Sequence, residues 1–444
     1  MRYLYLDNFR GFQNTFVPIK DVNFIVGENS TGKTSVLGLL KLLSSPQFWL
    51  QQDFNTDEVN FSHFNDIVSA NSINKKSFNV GLIDLCGDEL NEDDKDSNLV
   101  NAFLMTFSEF EGMPFLKKYT YNIDNKEIRI VFSKSSIKYK SSTINNLLCN
   151  ETFITETFKR WISSHENDNT GYSIIPTKIS SSIVRAPLFI ISTIVSDIVS
   201  GKEVKKEVKV KNFFNPPIFN NELAWLAPVR SKPKRTYDAY KSDYSPEGDH
   251  TPYLIKRILD KESSAKDFKK FSEEIGKESG LFEGISVKQY GRGATSPFEL
   301  DVIINNKPLS VCSVGYGVSQ SLPVFVELFS RAKNTWFAIQ QPEVHLHPKA
   351  QAALGSVFFS LASSEGKKFF IETHSDYAID RFRISYRKSK EATKPEAQIL
   401  YFERKGNGNT IYQLEIGPDG ELPSDQPEGY RSFFVKEEMQ LLGL

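Results

Sequence analysis

A short stretch near the start of the chain constrains the fold most, since residues 27–34 read GENSTGKT. The stretch matches G-x-x-x-x-G-K-[ST], the phosphate-binding P-loop. The apolar run Val22 to Val26 precedes it, and an apolar pattern of helical spacing follows it. A strand, a glycine-rich loop and a helix in this order form the context in which the motif binds phosphate. We therefore predict an α/β fold.

We expect this loop to bind the phosphates of ATP together with Mg²⁺. Its glycines let backbone N–H groups point at phosphate oxygens, and the following helix N-terminus adds partial positive charge. Lys33 is expected to reach the β and γ phosphates, and the Thr34 hydroxyl is expected to bind Mg²⁺. The predicted nucleotide-binding residues here are Gly27, Glu28, Asn29, Ser30, Thr31, Gly32, Lys33, Thr34 and Ser35.

Three later segments extend the predicted site. Residues 313–320, SVGYGVSQ, precede an apolar helix, and small residues at a helix start form an anion-binding nest. The apolar strand 335–339 runs into QQPEVHLHP at 340–348, and the apolar strand 368–372 runs into THS. P-loop NTPases place their Mg²⁺-holding and water-orienting groups where such strands end.

In this order the segments resemble the ABC-class ATPases of the RecF, structural-maintenance-of-chromosomes (SMC) and OLD group. The segments LDNFRGF at 6–12 and WLAPVR at 225–230 are similar to that group too, and the resemblance covers residues 1–70 and 220–435. It implies a homodimer that sandwiches two ATP molecules at a two-fold interface. It also implies that Lys33 and Thr34 are the Walker A pair and that His374 is the switch histidine. The signature-like residues, which in such families reach the other subunit's γ-phosphate, would be Ser313, Gly315, Gly317 and Ser319.

One departure from that group concerns the strand that should end in carboxylates, where this chain has Gln340 and Gln341. Glutamine cannot take a proton from water, and it binds Mg²⁺ less strongly than a carboxylate does. Three interpretations are open: Glu343 replaces the missing base, the protein hydrolyses ATP slowly and acts as a clamp, or the glutamines are engineered to trap ATP. We predict weak hydrolysis with Glu343, Gln341 and His374 as catalytic residues and Thr34 and Gln340 as metal ligands.

The predicted architecture is an ABC-ATPase head: a P-loop sheet core flanked by helices, with an antiparallel β subdomain and a helical insertion. Residues 1–145 would form the ATPase lobe with the P-loop and the β subdomain. Residues 146–220 would form the insertion, and residues 221–444 would complete the head. A chain of 444 residues exceeds one typical domain, so a multipart head is expected.

Charge does not by itself identify a partner. The net charge of −1 neither indicates nor excludes a protein that binds nucleic acid. Two local basic segments are candidates for DNA contact, although a solvated surface is the simpler interpretation of both. Their cations are Lys202, Lys205, Lys206, Lys209 and Lys211 in one segment, and Arg230, Lys232, Lys234 and Arg235 in the other.

The sequence favours the cytoplasm. Its three cysteines are widely spaced and suggest neither a disulfide framework nor a zinc site. The opening residues alternate like a strand rather than a secretory signal, and the longest apolar stretch, 186–199, is too short and polar to cross a bilayer. We expect a cytoplasmic protein with no membrane contact.

The functional hypothesis is an ATP-driven switch whose dimer gates a partner effector or a DNA contact. No nuclease-like metal constellation follows His374, so a cleaving or toxic activity would belong to a separate protein. Stand-alone ATPases that this chain resembles often serve bacterial antiphage modules. The alternatives are a RecF-like repair or recombination ATPase that clamps DNA directly, and an ATP-binding scaffold with little hydrolysis.

Overall fold

The computed structural model describes most of the chain. The described residues are 2–86, 99–123, 126–133, 136–143, 151–163, 171–175, 187–201, 223–238, 243–291, 293, 296–391, 394–430 and 439–440. Contacts divide the chain into two compact units. The first comprises Met1–Lys20, Ser30–Glu222 and Phe402–Ile411; the second comprises Asp21–Asn29, Leu223–Tyr401 and Tyr412–Leu444.

The described part of the chain folds into strands and helices. The strands are β1 (Arg2–Asp7), β2 (Thr15–Ile19), β3 (Val22–Gly27), β4 (Ser77–Cys86), β5 (Leu99–Phe110), β6 (Met113–Ile123), β7 (Lys126–Phe132), β8 (Ile137–Thr143), β9 (Ser173–Ile175), β10 (Ala224–Leu226), β11 (Gly284–Gln289), β12 (Phe298–Ile304), β13 (Lys307–Ser310), β14 (Trp336–Gln340), β15 (Lys368–Glu372), β16 (Ala397–Lys405) and β17 (Gly408–Glu415). The helices are α1 (Lys33–Ser44), α2 (Pro46–Gln51), α3 (Phe64–Ile67), α4 (Glu151–Ser163), α5 (Pro187–Val199), α6 (Thr251–Leu259), α7 (Glu262–Ser279), α8 (Tyr316–Ser330), α9 (Pro348–Glu365) and α10 (Asp376–Lys388).

The first unit contains an eight-stranded sheet in the order β2-β1-β4-β5-β6-β7-β8-β9. Its neighbouring strands pair antiparallel, so alternate residues of a strand face the core. Phe54, Phe78 and Phe107 pack together there, with ring centroids 5.1–5.7 Å apart. The predicted antiparallel β structure is confirmed.

The predicted helical insertion is only partly described. Its described residues form α4 and α5, together with the short strand β9, which joins the antiparallel sheet beside β8. Residues 202–220, which include the first basic segment, lie outside the described residues. None of the described helices is long and apolar enough to cross a membrane.

A six-stranded sheet in the order β10-β14-β15-β3-β16-β17 carries the predicted site. Strands β10, β14, β15 and β3 run parallel, and every residue of β14 is buried. Parallel strands are covered on both faces, which explains why they read as continuous apolar runs. Their carboxyl ends share one edge of the sheet, where Glu28 follows β3, Gln341 follows β14 and Thr373 follows β15. The predicted α/β fold class is confirmed.

The helices that follow β14 and β15 begin at side-chain caps. His347 accepts a hydrogen bond from the Lys349 N–H at the start of α9, and Ser375 accepts one from the Ala378 N–H at the start of α10. A Cβ on Gly355 of α9 would lie 2.1 Å from the Ala378 carbonyl oxygen, so only glycine lets the two helices approach so closely. The caps and this contact position the loops that precede both helices.

Candidate functional site

The P-loop has the backbone conformation that the motif requires. Strand β3 ends at Gly27 with a φ of +135°, and Ser30 and Gly32 have φ values of +62° and +91°. Helix α1 then begins at Lys33, which is buried, while Thr34 is exposed. When residues of left-handed and right-handed backbone conformation alternate, successive backbone N–H groups point to the same side and form a nest for anions. The loop can therefore cradle phosphate.

Two neighbours in the first unit leave no room for a side chain at Gly32. A Cβ there would lie 2.6 Å from the Phe12 ring and 3.1 Å from Asn409 Nδ2. Asn409 follows the turn between β16 and β17; its side chain donates to the Arg10 carbonyl oxygen over 3.2 Å. On the same hairpin, Arg404 Nη2 donates to the Ser30 carbonyl oxygen over 2.8 Å. The β16–β17 hairpin therefore supports the second half of the P-loop.

In the second unit, the ends of β14 and β15 bring Gln340 and Glu372 together. The two residues are paired in the parallel register, and Gln340 Nε2 donates to Glu372 Oε2 over 3.0 Å. The Gln341 N–H donates to the Glu372 carbonyl oxygen over 2.7 Å, and its φ of +43° turns the chain away from the strand. A non-glycine residue with positive φ costs energy and is enriched at functional sites.

Glu343 is hydrogen-bonded to the segment that follows β15. Its Oε1 accepts a 2.7 Å hydrogen bond from the backbone N–H of His374, whose own side chain is exposed. Burial raises the pKa of the Glu343 carboxyl above its usual 4.5, against the opposing effect of that hydrogen bond. A carboxylate whose pKa is raised by burial is a better proton acceptor than one in water.

Arg230 is buried beneath this site, which corrects its prediction as a DNA contact. Its side chain is 2% exposed, and Nη2 donates to the Gln340 carbonyl oxygen over 3.1 Å. Burial lowers the pKa of Arg230 to about 10, although the charge of Glu343 acts in the other direction. Gln320 of α8 fixes the Arg230 backbone, since its Oε1 accepts from the Arg230 N–H over 3.2 Å. Arg230 is therefore a buried cation that joins α8 to the end of β14.

The signature-like segment forms the start of α8. Ser313 and Gly315 are exposed, whereas Ser319 is buried and its hydroxyl donates to the Tyr316 carbonyl oxygen over 2.9 Å. A Cβ on Gly317 would lie 2.5 Å from the His345 carbonyl oxygen, so the first turn of α8 lies directly against the loop after β14. In the second basic segment, exposed side chains remain at Lys232, Lys234 and Arg235.

Reasoning from sequence assigned Arg230 to a different role, and it missed three contributors to the site: Glu372, Arg404 and Asn409. Glu372 had a signal, because it is a carboxylate at a strand end. The two residues of the β16–β17 hairpin carried none, since they lie about 375 residues from the P-loop that they support. Within the described part of the chain, no group of three or more His, Cys, Asp or Glu side chains is placed to hold a metal ion. Mg²⁺ that arrives with ATP needs only one or two protein ligands, so a strand-end carboxylate and amide fit this ion.

A family model described as an AAA ATPase domain matches residues 1–379. The predicted ATPase resemblance is confirmed by this match. Comparison with curated proteins finds no match.

Solved SMC head structures also align with the chain, at 10% identity. An Smc head bound to the C-winged helix domain of ScpA gives a TM-score of 0.43 and covers 93% of this chain and 97% of its own. The Smc head domain of Pyrococcus yayanosii, with a coiled coil and joint, gives 0.41 and covers 99% and 100%. The SMC head domain from Thermotoga maritima gives 0.34 and covers 94% and 100%. These likenesses are distant, and none of the three supports a statement about function.

Proposed function

The chain belongs to the AAA ATPase domain family, and on that premise we propose that it is an ATP-hydrolysing switch. ATP binding closes a homodimer around two nucleotides, hydrolysis reopens it, and the cycle gates a partner effector or a DNA contact. The observation that carries the proposal is the buried Glu343 carboxylate, bonded to the backbone of His374. One contact thus links the proposed base to the proposed switch residue.

Nucleotide binding is assigned to the P-loop. Residues 27–35 surround the phosphates with backbone N–H groups, and the Lys33 ammonium neutralises part of their charge. When bound, Mg²⁺ adds further positive charge at the β and γ phosphates. Thr34 and Gln340 are the proposed ligands for that ion.

Glu343 is the proposed general base. The glutamine at position 341 cannot accept a proton, whereas the Glu343 carboxylate can accept one from the attacking water. Its Oε1 is occupied by the His374 N–H, so Oε2 is the oxygen assigned to this proton. His374, with its exposed side chain, is assigned to the γ-phosphate.

Dimer closure is assigned to the exposed start of α8. Ser313 and Gly315 are the proposed contacts to the nucleotide of a second subunit, because their surface is open. Gly317 and Ser319 shape the helix start instead. By resemblance, we propose that the effector is a separate nuclease or toxin in a bacterial antiphage system and that the protein works in the cytoplasm.

Sedimentation velocity with the Glu343→Gln variant tests this function. The variant keeps the hydrogen bond from His374 but loses the base, so saturating ATP and Mg²⁺ should hold it as a dimer, while ADP should leave it a monomer. Lys33→Ala in the same background is the matched control and should stay monomeric with ATP. A Glu343→Gln protein that binds ATP and yet remains monomeric would contradict the sandwiched dimer.

Direct DNA clamping is a second candidate, and the exposed cations Lys232, Lys234 and Arg235 favour it. Phosphate contacts make binding depend on salt, with a slope of about −0.7 to −0.9 per contact. Replacing all three by glutamine should lower both the affinity for duplex DNA and the salt slope. If the triple variant binds DNA as the wild type does, or if the wild type shows no ATP-dependent DNA binding, direct DNA clamping is wrong. Effector gating is then the remaining function.

A further inference from the structure

A pocket opens in the second unit between the segment that follows β10, the start of α6 and the first half of α8. About 80 Å³ of this pocket is open to the centres of water molecules. One water needs about 10–15 Å³ on this measure, so the pocket holds about five to eight waters or one group of similar size. The pocket therefore suits a small polar group rather than a whole enclosed nucleotide.

Two lysines give the pocket an excess of positive charge. Lys232 and Lys234 both line it with exposed side chains, and neither forms an ion pair with any described residue. Asp249 also lines the pocket, so two positive charges there face one negative charge. An excess of positive charge in a concave surface attracts anions.

The backbone that carries these lysines is held in place, which distinguishes them from lysines on a free loop. The N–H and the hydroxyl of Ser231 both donate to the Glu247 carbonyl oxygen, over 2.9 and 3.2 Å. The Lys234 N–H donates to the hydroxyl of the buried Tyr237 over 3.0 Å. The segment is therefore fixed at both ends, which lowers the entropy lost when a ligand binds.

One buried hydroxyl in the wall of the pocket has no protein partner. Thr251 is 3% exposed, and within the described part of the chain its Oγ1 makes no hydrogen bond. The oxygen lies beside Gly248, which also lines the pocket; an added Cβ on that glycine would lie 3.1 Å from it. A buried hydroxyl without a partner is costly, so it indicates a ligand or a water at this place.

The start of α6 offers few backbone donors of its own. Pro252 has no N–H. The Thr251 N–H donates to the Gly248 carbonyl oxygen over 3.0 Å. The Leu254 N–H donates to the His250 carbonyl oxygen, also over 3.0 Å. Recognition of an anion in this pocket therefore depends on side chains, and substituting them tests it.

We propose that this pocket binds a phosphate group, with the Lys232 and Lys234 ammonium groups and the Thr251 hydroxyl as its donors. A terminal phosphate carries a charge of about −1.5 to −2 at pH 7, which matches two lysines. Two sources supply this group: the phosphorylated end of a nucleic-acid strand, and free inorganic phosphate. The residues of this site do not overlap those of the P-loop, and the proposal does not rest on ATP hydrolysis.

Calorimetry with inorganic phosphate at constant ionic strength tests the pocket, in a Lys33→Ala background that removes the P-loop lysine. Lys232→Gln/Lys234→Gln should weaken phosphate binding about tenfold or more, because charge-assisted hydrogen bonds are lost. Thr251→Val should weaken it about tenfold, because a hydrogen bond to a charged group is lost. The melting temperature of the valine variant should not fall, since the hydroxyl that it removes has no protein partner.

Lys307→Gln/Lys333→Gln, at exposed positions outside the pocket, is the matched control and should leave phosphate binding unchanged. The proposal is overturned if the Lys33→Ala protein binds no phosphate, or if the pocket variants bind it as tightly as their background does. It is also overturned if only the lysine variant loses binding and Thr251→Val does not, because the contact is then with surface lysines alone.

A short single-stranded DNA with a 5′-phosphate, compared with the same strand ending in a 5′-hydroxyl, distinguishes the two sources. If the pocket binds a strand end, the phosphorylated strand should bind about tenfold tighter or more and compete with inorganic phosphate. Equal binding of the two strands, with phosphate binding still lost in both pocket variants, assigns the pocket to free phosphate.

Discussion

Replacing Gly317 by alanine tests the close contact between α8 and the loop after β14. The new Cβ would lie 2.5 Å from the His345 carbonyl oxygen, and contacts under 3.0 Å essentially do not occur, so one backbone must move by at least 0.5 Å. His345 cannot yield easily, because its φ is +65° and the next residue, Leu346, donates to the Glu343 carbonyl oxygen over 3.0 Å. The displacement caused by the new Cβ should therefore extend along this loop to Glu343, the proposed general base.

The expected change in the free energy of unfolding is the sum of two opposing effects. Overpacking of this kind costs about 1–3 kcal/mol, and alanine in a helix returns about 1 kcal/mol relative to glycine. Because the clashing atom belongs to the backbone, we take the upper part of that range, about 2–3 kcal/mol, so the net loss should be about 1–2 kcal/mol, which corresponds to about 2–8 °C in the melting temperature of a unit of this size. ATP turnover should fall with it, because Glu343 belongs to the displaced loop.

Gly315→Ala is the matched control, since a Cβ at that position has no atom within 4 Å. Its φ of −56° suits alanine, and its unliganded melting temperature should change by less than about 2 °C. The assay is differential scanning fluorimetry without nucleotide, followed by phosphate release with saturating ATP. Equal melting temperatures for the Gly317→Ala and Gly315→Ala proteins would refute the packing argument.

Three further predictions concern single residues. The acid limb of ATP turnover should lie above pH 4.5, because burial raises the pKa of Glu343. The base works only when it is ionised, so activity is lost as the pH falls through that raised pKa. A pH–rate profile whose acid limb lies at or below pH 4.5 would contradict this. Arg230→Lys should lower the free energy of unfolding by about 1.5–3 kcal/mol in urea titrations, because the guanidinium hydrogen bond to Gln340 is lost. An unchanged urea midpoint would contradict a structural role for that hydrogen bond. Gly32→Ala should abolish ATP binding in calorimetry, since its φ of +91° and the Phe12 ring both exclude a side chain, and wild-type affinity would disprove that reasoning.

Local patterns in the sequence were sufficient to predict the strand–loop–helix unit and the buried strands around it. The run from Val22 to Val26, the P-loop glycines and the apolar spacing after Lys33 each follow from nearest-neighbour chemistry. The strands before Gln340 and before Thr373 were found in the same way, because fully buried parallel strands are uniformly apolar.

The remaining features depend on which strands become neighbours, and the sequence does not state this directly. Glu372 matters only because β15 lies between β3 and β14, a fact of strand order. Arg230 stands among exposed cations, so its segment suggested a surface; only the folded chain shows its hydrogen bonds to Gln320 and Gln340. Asn409 reaches Arg10 across 399 residues of sequence, and local reasoning cannot find such a contact.

Steady-state phosphate release from ATP and Mg²⁺ by the purified wild-type protein, with Lys33→Ala beside it, tests whether the protein is a hydrolysing switch. We expect slow but measurable turnover by the wild type and none above background by the variant. ATP binding without any turnover would contradict the hydrolysing switch and favour an ATP-bound scaffold. Equal phosphate release by both proteins would show that the P-loop is not the site of hydrolysis.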